Sequence, residues 1–198
     1  MTDLPKLILA SGSPQRLRLL AEAGYPFEVS KPDESAECGV CSTGGPAALV
    51  AELALRKAAD VAPRYAGQNA VLLACDTVAE CRGVILGKPK NEDHARQMLG
   101  ALRGTVHRVF SGVCVWPIDR PDGVASRVVV SELQMTELSD DAIEDYLETG
   151  LWRGKAGSFG LQDRPDWLKV VSGSESNVIG LPMDEVAELL GAPENFVA

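Results

Sequence analysis

The sequence predicts an α/β fold: a mixed, twisted central sheet flanked by helices. Three observations lead there. Short apolar runs alternate with helical patterns along the whole chain. The run Leu7-Ile8-Leu9-Ala10 reads as a buried strand that breaks into small residues and then a helix. Pro121-Asp122-Gly123 is a turn between two β runs, which makes those strands antiparallel and the sheet mixed.

The elements follow in order. After the first strand, a helix starts at Pro14 and runs through Leu17, Leu20 and Ala21 to Gly24. Ser13 suits the N-cap, Pro14 the first helical position and Gly24 the stop. Residues 27–30 are strand-like, and residues 46–60 form a helix. The polar, Gly-rich stretch 35–45 is the best candidate for a mobile loop. Strands are predicted at 70–75, 107–115, 127–133 and 167–171. Asn91 caps a helix whose inner face carries Ala95, Met98, Leu99 and Leu102, with Gly104 beyond its end. Ser139 caps another, bearing Ile143, Tyr146 and Leu147 and stopped by Gly150. Pro182 opens the last, with Val186, Leu189 and Leu190 inward and Gly191 after it.

The bulk properties narrow the function. With 198 residues, 45% hydrophobic, the chain suits one globular domain, or two lobes sharing one core. Its net charge is −9 and its pI about 4.8, with no basic tail, so duplex nucleic acid is not an expected partner. A small anion needs only a few converging cations. The start lacks a secretory pattern, and no apolar run approaches the roughly 20 residues that span a bilayer. Five cysteines, an odd count, do not suggest a disulfide framework. A reducing cytoplasm is the expected location.

Several residues invite chemistry. The strand–loop–helix junction at Ser11-Gly12-Ser13 directs backbone N–H groups at one spot, which favours an anion. Arg16, in the first helical turn, opposes the helix dipole unless it faces a negative ligand. Asp76-Thr77 follows the apolar run 71–75, where α/β folds place working groups; the alternative is an aspartate that starts a turn or caps a short helix. Asp33 and Glu34 could join Asp76 on a hard cation, or could simply be solvated. Val50, Leu53 and Lys57 fall at i, i+3 and i+7, so Lys57 continues a buried stripe. It either snorkels at the helix end or reaches into a site from the core side. In Gly87-Lys88-Pro89 the proline stiffens the turn, leaving Lys88 for a phosphate or for solvent. Lys155 and Gln162 bracket a stretch with glycines at 154, 157 and 160, where backbone can approach a ligand closely or remain a flexible loop. Gln162 can both donate and accept, as base-edge recognition requires. The stretch is not a Walker A loop, since the Gly-Lys-Ser/Thr order is missing. Cys38-Gly39-Val40-Cys41 is a lone C-x-x-C without two further ligands at zinc spacing.

Together these pieces resemble the Maf family of nucleoside triphosphate pyrophosphatases. The resemblance begins at the Ser-x-Ser-Pro-x-Arg signature, Ser11 to Arg16. It runs in fixed order through Asp33-Glu34, Lys57-Ala58, Asp76-Thr77, Gly87-Lys88-Pro89 and His107. It continues through Lys155-Ala156-Gly157 and Gly160-Leu161-Gln162 to Val178-Ile179-Gly180-Leu181-Pro182. Each motif alone is weak; the ordered set covers nearly the whole chain. It implies one Maf-like domain over 1–198, with an elongated, two-lobed, ITPase-like form, a central cleft and often a dimeric state. It implies hydrolysis of a nucleoside triphosphate to monophosphate and pyrophosphate with magnesium or manganese. Phosphates would lie against Ser11, Ser13 and Arg16. Lys57, Lys88 and Lys155 would neutralise charge, Glu34 and Asp76 would bind metal, and Asp76 would activate water.

Gln15 stands where many relatives carry a second arginine, removing one phosphate contact. Thr77, His107 and Gln162 resemble the branch acting on dTTP and UTP. The branch preferring 7-methyl-GTP tends to carry glutamine after the aspartate and glutamate where Gln162 stands. Glutamine satisfies the mixed donor–acceptor edge of a pyrimidine. The competing readings are a 7-methyl-GTP enzyme, a nucleotide-binding cell-division regulator without turnover, and a zinc-dependent interaction module on Cys38 and Cys41.

Overall fold

The computed structural model describes residues 4–37 and 44–197. Cys38 and Cys41, and most of the predicted mobile loop, lie outside them.

Among the described residues seven strands form one mixed sheet. They are β1 (Lys6–Leu9), β2 (Glu28–Val29), β3 (Ala70–Cys81), β4 (Val84–Leu86), β5 (Val106–Pro117), β6 (Ala125–Met135) and β7 (Leu168–Ser172). Their order is β2-β1-β3-β5-β6-β7, with β4 paired to β3. β1 runs parallel to both β2 and β3, while β3–β4 and β6–β7 are antiparallel. The helices are α1 (Pro14–Glu22), α2 (Gly45–Val61), α3 (Glu92–Leu102), α4 (Asp140–Glu148), α5 (Glu175–Ile179) and α6 (Met183–Leu190). The mixed α/β class read from the sequence is the one observed. Every predicted strand and helix is present; β4 and α5 are additions.

The caps divide into two kinds. Asn91 accepts from the His94 N–H at 2.9 Å and Ser139 from the Ala142 N–H at 3.1 Å, as their positions predict. Ser13 sits at the N-cap of α1 but its side chain makes no cap bond. Its hydroxyl donates instead to Gln15 Oε1 at 3.0 Å, and its N–H donates to Ser11 Oγ at 3.2 Å.

The chain forms two compact units. The first comprises Met1–Asp76, Ser111–Val128 and Gly180–Ala198; the second comprises Thr77–Phe110 and Val129–Ile179. In the first unit the strand period of two sorts side chains between two cores. Leu7, Leu9, Leu73, Cys75 and Val113 pack with Leu20, Val186 and Leu190 from α1 and α6. Ile8, Ala10, Leu72, Ala74 and Cys114 pack with Ala54, Ala58 and Val61 from α2. Burial on both faces explains why 7–10 and 71–75 read as continuous apolar runs. The second unit has one core, in which Met98, Leu99 and Leu102 of α3 meet Ile143, Tyr146 and Leu147 of α4, with Leu133 and Met135 of β6.

Gly112 of β5 fixes how closely α2 approaches the sheet. A Cβ at this position would lie 2.2 Å from the Val50 carbonyl oxygen. Only glycine admits that contact, which seats the helix bearing Lys57 directly on the strands.

Candidate functional site

In the first unit the alternation along β3 dictates where Asp76 points. Ala74 belongs to the core under α2, so Asp76, two residues on, faces α2 as well. On α2 the buried stripe is Val50, Leu53, Ala54, Lys57, Ala58 and Val61. Asp76 and Lys57 therefore meet: Lys57 Nζ donates to Asp76 Oδ1 at 2.5 Å, with the side chains only 4% and 12% exposed. The helical spacing carries Lys57 into the core side, and the snorkelling alternative does not hold. Asp76 also differs from expectation. It is not at the end of a strand, nor in a turn or cap, but inside the twelve-residue β3. The apolar run ended at Cys75 because the partly polar continuation Asp76–Cys81 gave no strand signal.

Glu34 begins the 3₁₀ turn Glu34–Glu37, which packs against α2, and is exposed. Ser11 is buried and its hydroxyl accepts from Arg16 Nη1 at 3.3 Å. Arg16 is itself buried, and its Nε donates to the Gly180 carbonyl at 2.7 Å. The Cys75 thiol donates to the same carbonyl at 3.2 Å. The charge in the first turn of α1 is thus partly spent on pinning the segment before α6. That is a second reason for an arginine opposed to the helix dipole, beside the anion the sequence suggests.

In the second unit two lysine motifs come together. The Gly157 N–H donates to the Gly87 carbonyl at 3.1 Å, joining Lys155-Ala156-Gly157 to Gly87-Lys88-Pro89. Gly157 has φ +67°, and a Cβ there would press on Ala79 at 3.2 Å. The approach thus requires glycine. Lys88 and Gln162 are exposed and Thr77 is half-buried on β3. Lys155 is not extended into solvent: its Nζ lies 2.5 Å from Asp163 Oδ2.

Sequence reasoning missed Asp163, which follows Gln162 without any periodic signal. It also missed Glu80 of β3. Burial works to raise the Glu80 carboxyl, but the Gly83 N–H and the Arg108 guanidinium outweigh it and hold it below the usual range. His107 is buried on β5, and burial pushes its imidazole down to about 4, against the Thr105 backbone and the Glu80 charge.

Asp76 and Glu34 offer hard carboxylate oxygens, the donors that magnesium and manganese prefer. Among the described residues no group of three or more His, Cys, Asp or Glu side chains is placed to hold a metal ion by itself. Magnesium is commonly bound by one or two carboxylates together with substrate phosphate and water. Cys75, Cys81 and Cys114 are buried cysteines on strands.

The ordered motifs have their counterpart among known proteins. Residues 6–192 match the family of Maf-like proteins. The chain belongs to the Maf family. One Maf relative, named dTTP/UTP pyrophosphatase, from Rhodopirellula baltica, is 53% identical and covers 99% of this chain and 90% of its own. A protein of the same name from Moorella thermoacetica is 42% identical, covering 94% of each chain. Among solved structures, a HAM1 protein from Coxiella burnetii covers 94% of this chain and 98% of its own at 15% identity and a TM-score of 0.48. Among the described residues of this Maf protein, no helix is long and apolar enough to cross a membrane.

Proposed function

We propose that the chain is a nucleoside triphosphate pyrophosphatase, releasing pyrophosphate from dTTP and UTP to leave the monophosphate. The observation that carries this reading is the buried Lys57–Asp76 pair. Two charged side chains held on a helix and a strand within an apolar unit cost desolvation that a fold alone does not need to incur. The names of the relatives supply the substrate class, and Thr77 and Gln162 match the branch to which those names belong.

In this mechanism Lys57 orients the Asp76 carboxylate, which accepts a proton from the attacking water. The water oxygen bonds to the α-phosphorus as the bond from that phosphorus to the bridging oxygen breaks, and pyrophosphate departs with the electron pair. Asp76 and Glu34 would hold the divalent cation; when bound, it acidifies coordinated water and screens phosphate charge. Ser11, Ser13 and Arg16 position phosphate oxygens, and Lys88 and Lys155 add positive charge. Phosphoryl transfer draws mostly on such positioning and charge stabilisation. Gln162 reads the base edge, donating and accepting at once. In the same reading residues 1–198 act as one Maf-like domain, on free nucleotides of the cytoplasm, as the homodimer that the family resemblance implies.

The test is a panel of canonical, methylated and modified triphosphates assayed for pyrophosphate with and without magnesium. Release from dTTP and UTP, dependent on magnesium and abolished in Asp76→Asn, is expected. Equal release by that variant contradicts the role of Asp76, and inactivity of the wild type on every nucleotide contradicts the function.

A further inference from the structure

Around the loop that ends at Gln162, one carboxylate oxygen gathers three donors. Asp163 Oδ2 accepts from Lys155 Nζ at 2.5 Å, from the Tyr146 hydroxyl at 2.7 Å and from the Gly160 N–H at 3.2 Å. The ion pair is withdrawn from water, with the Lys155 side chain 14% and the Asp163 side chain 6% exposed. Gly160 lies directly beneath it. A Cβ at Gly160 would sit 3.1 Å from Asp163 Oδ2 and 3.2 Å from the Lys155 methylenes. The base of the loop is tied down separately. Phe159 stacks on Trp167 at 5.3 Å between ring centroids, and the Tyr146 ring tilts against both. Burial first, and then the bond to Asp163, push the Tyr146 hydroxyl up, so it remains a donor.

We propose that Asp163 is a positioning residue for base recognition. The proposal rests on the function given above. Its carboxylate closes the loop from Lys155 to Gln162 on itself, and so fixes the backbone from which the exposed Gln162 projects. It also holds the Lys155 ammonium in one place, so that the positive charge Lys155 adds acts from a fixed position while Gln162 reads the donor–acceptor pattern of the base. Without the carboxylate, Gln162 loses its fixed origin and the Lys155 ammonium its fixed place, and both changes erode discrimination between nucleotides.

The experiment compares wild type, Asp163→Asn, Asp163→Glu and Tyr146→Phe on UTP, dTTP, CTP and GTP with magnesium. Lys155 acetylation by a water-soluble anhydride, followed by mass spectrometry, is a readout independent of turnover. Asp163→Asn is expected to raise KM for UTP about tenfold with kcat within about twofold. Its preference for UTP over CTP in kcat/KM falls by a similar factor, and Lys155 acetylates faster. Asp163→Glu restores part of the preference, because the charge returns. Tyr146→Phe, which keeps the ion pair, melts lower and keeps the preference. A merely structural Asp163 would lower the melting temperature and change all four nucleotides equally, and that result overturns the proposal. So does wild-type turnover with unchanged selectivity and acetylation in Asp163→Asn. No turnover by wild type on any nucleotide instead overturns the function and this role with it.

Discussion

Lys57→Met is the sharpest single perturbation of the first unit. Methionine matches the lysine stem and leaves the buried stripe of α2 intact, so the change removes little besides the ammonium. What stays behind is an Asp76 carboxylate whose side chain is 12% exposed and which has lost the donor at 2.5 Å. Removing one partner of a buried pair costs about 3–5 kcal/mol, because the other is left desolvated and uncompensated. At about 2–4 °C per kcal/mol for a chain of this size, the melting temperature falls by roughly 6–20 °C. The double variant Lys57→Met/Asp76→Asn removes that penalty. It is expected to be more stable than the sum of the two single changes by about 2 kcal/mol, within the range seen for residues in contact. Calorimetric melts of the four proteins measure this directly. If Lys57→Met melts within about 2 °C of wild type, less than 1 kcal/mol away, the pair is not the buried interaction described. Additivity in the double variant contradicts the coupling.

Two further predictions concern features outside that pair. Gly112→Ala places a methyl group 2.2 Å from the Val50 carbonyl oxygen. It forces α2 off the sheet, with a loss of roughly 1–3 kcal/mol in the melt and a fall in kcat as Lys57 withdraws from Asp76. His107 makes stability depend on pH. Its folded-state pKa of about 4 lies below the ordinary 6.5. The stability is therefore complete above pH 6.5 and is lost as pH falls towards 4, because the unfolded chain takes the proton first. The slope is about 1.4 kcal/mol per pH unit and the total roughly 3 kcal/mol. Denaturant titrations of His107→Gln between pH 4 and 7 are expected to show a flatter profile than wild type; identical profiles contradict the assignment.

Much of the fold was legible because its signals are local. The two-sided burial of β1 and β3 left unbroken apolar runs, and Asn91 and Ser139 cap as their spacing predicts. The helical period placed Lys57 on the buried face before any partner for it was known. The path of β3 beyond Cys75 was not legible, since Asp76, Thr77 and Glu80 interrupt its apolar pattern. Nor were the partners that tertiary structure alone creates. The Gly180 carbonyl reaches Arg16 from 164 positions away in sequence. Asp163 gains its meaning only when Tyr146, Lys155 and Gly160 converge on one oxygen. The sequence offers Gly157 either a close approach to a ligand or a flexible loop; in the fold its close approach is to Ala79 and to the Gly87 carbonyl.

In the proposed reaction, water deprotonated at Asp76 attacks the α-phosphorus. Hydrolysis of UTP in ¹⁸O-labelled water with magnesium tests it most directly. Mass spectrometry of the products is expected to find the label in UMP, with unlabelled pyrophosphate, and no products from Asp76→Asn. Label in pyrophosphate, or release of UDP and orthophosphate, contradicts attack at the α-phosphorus.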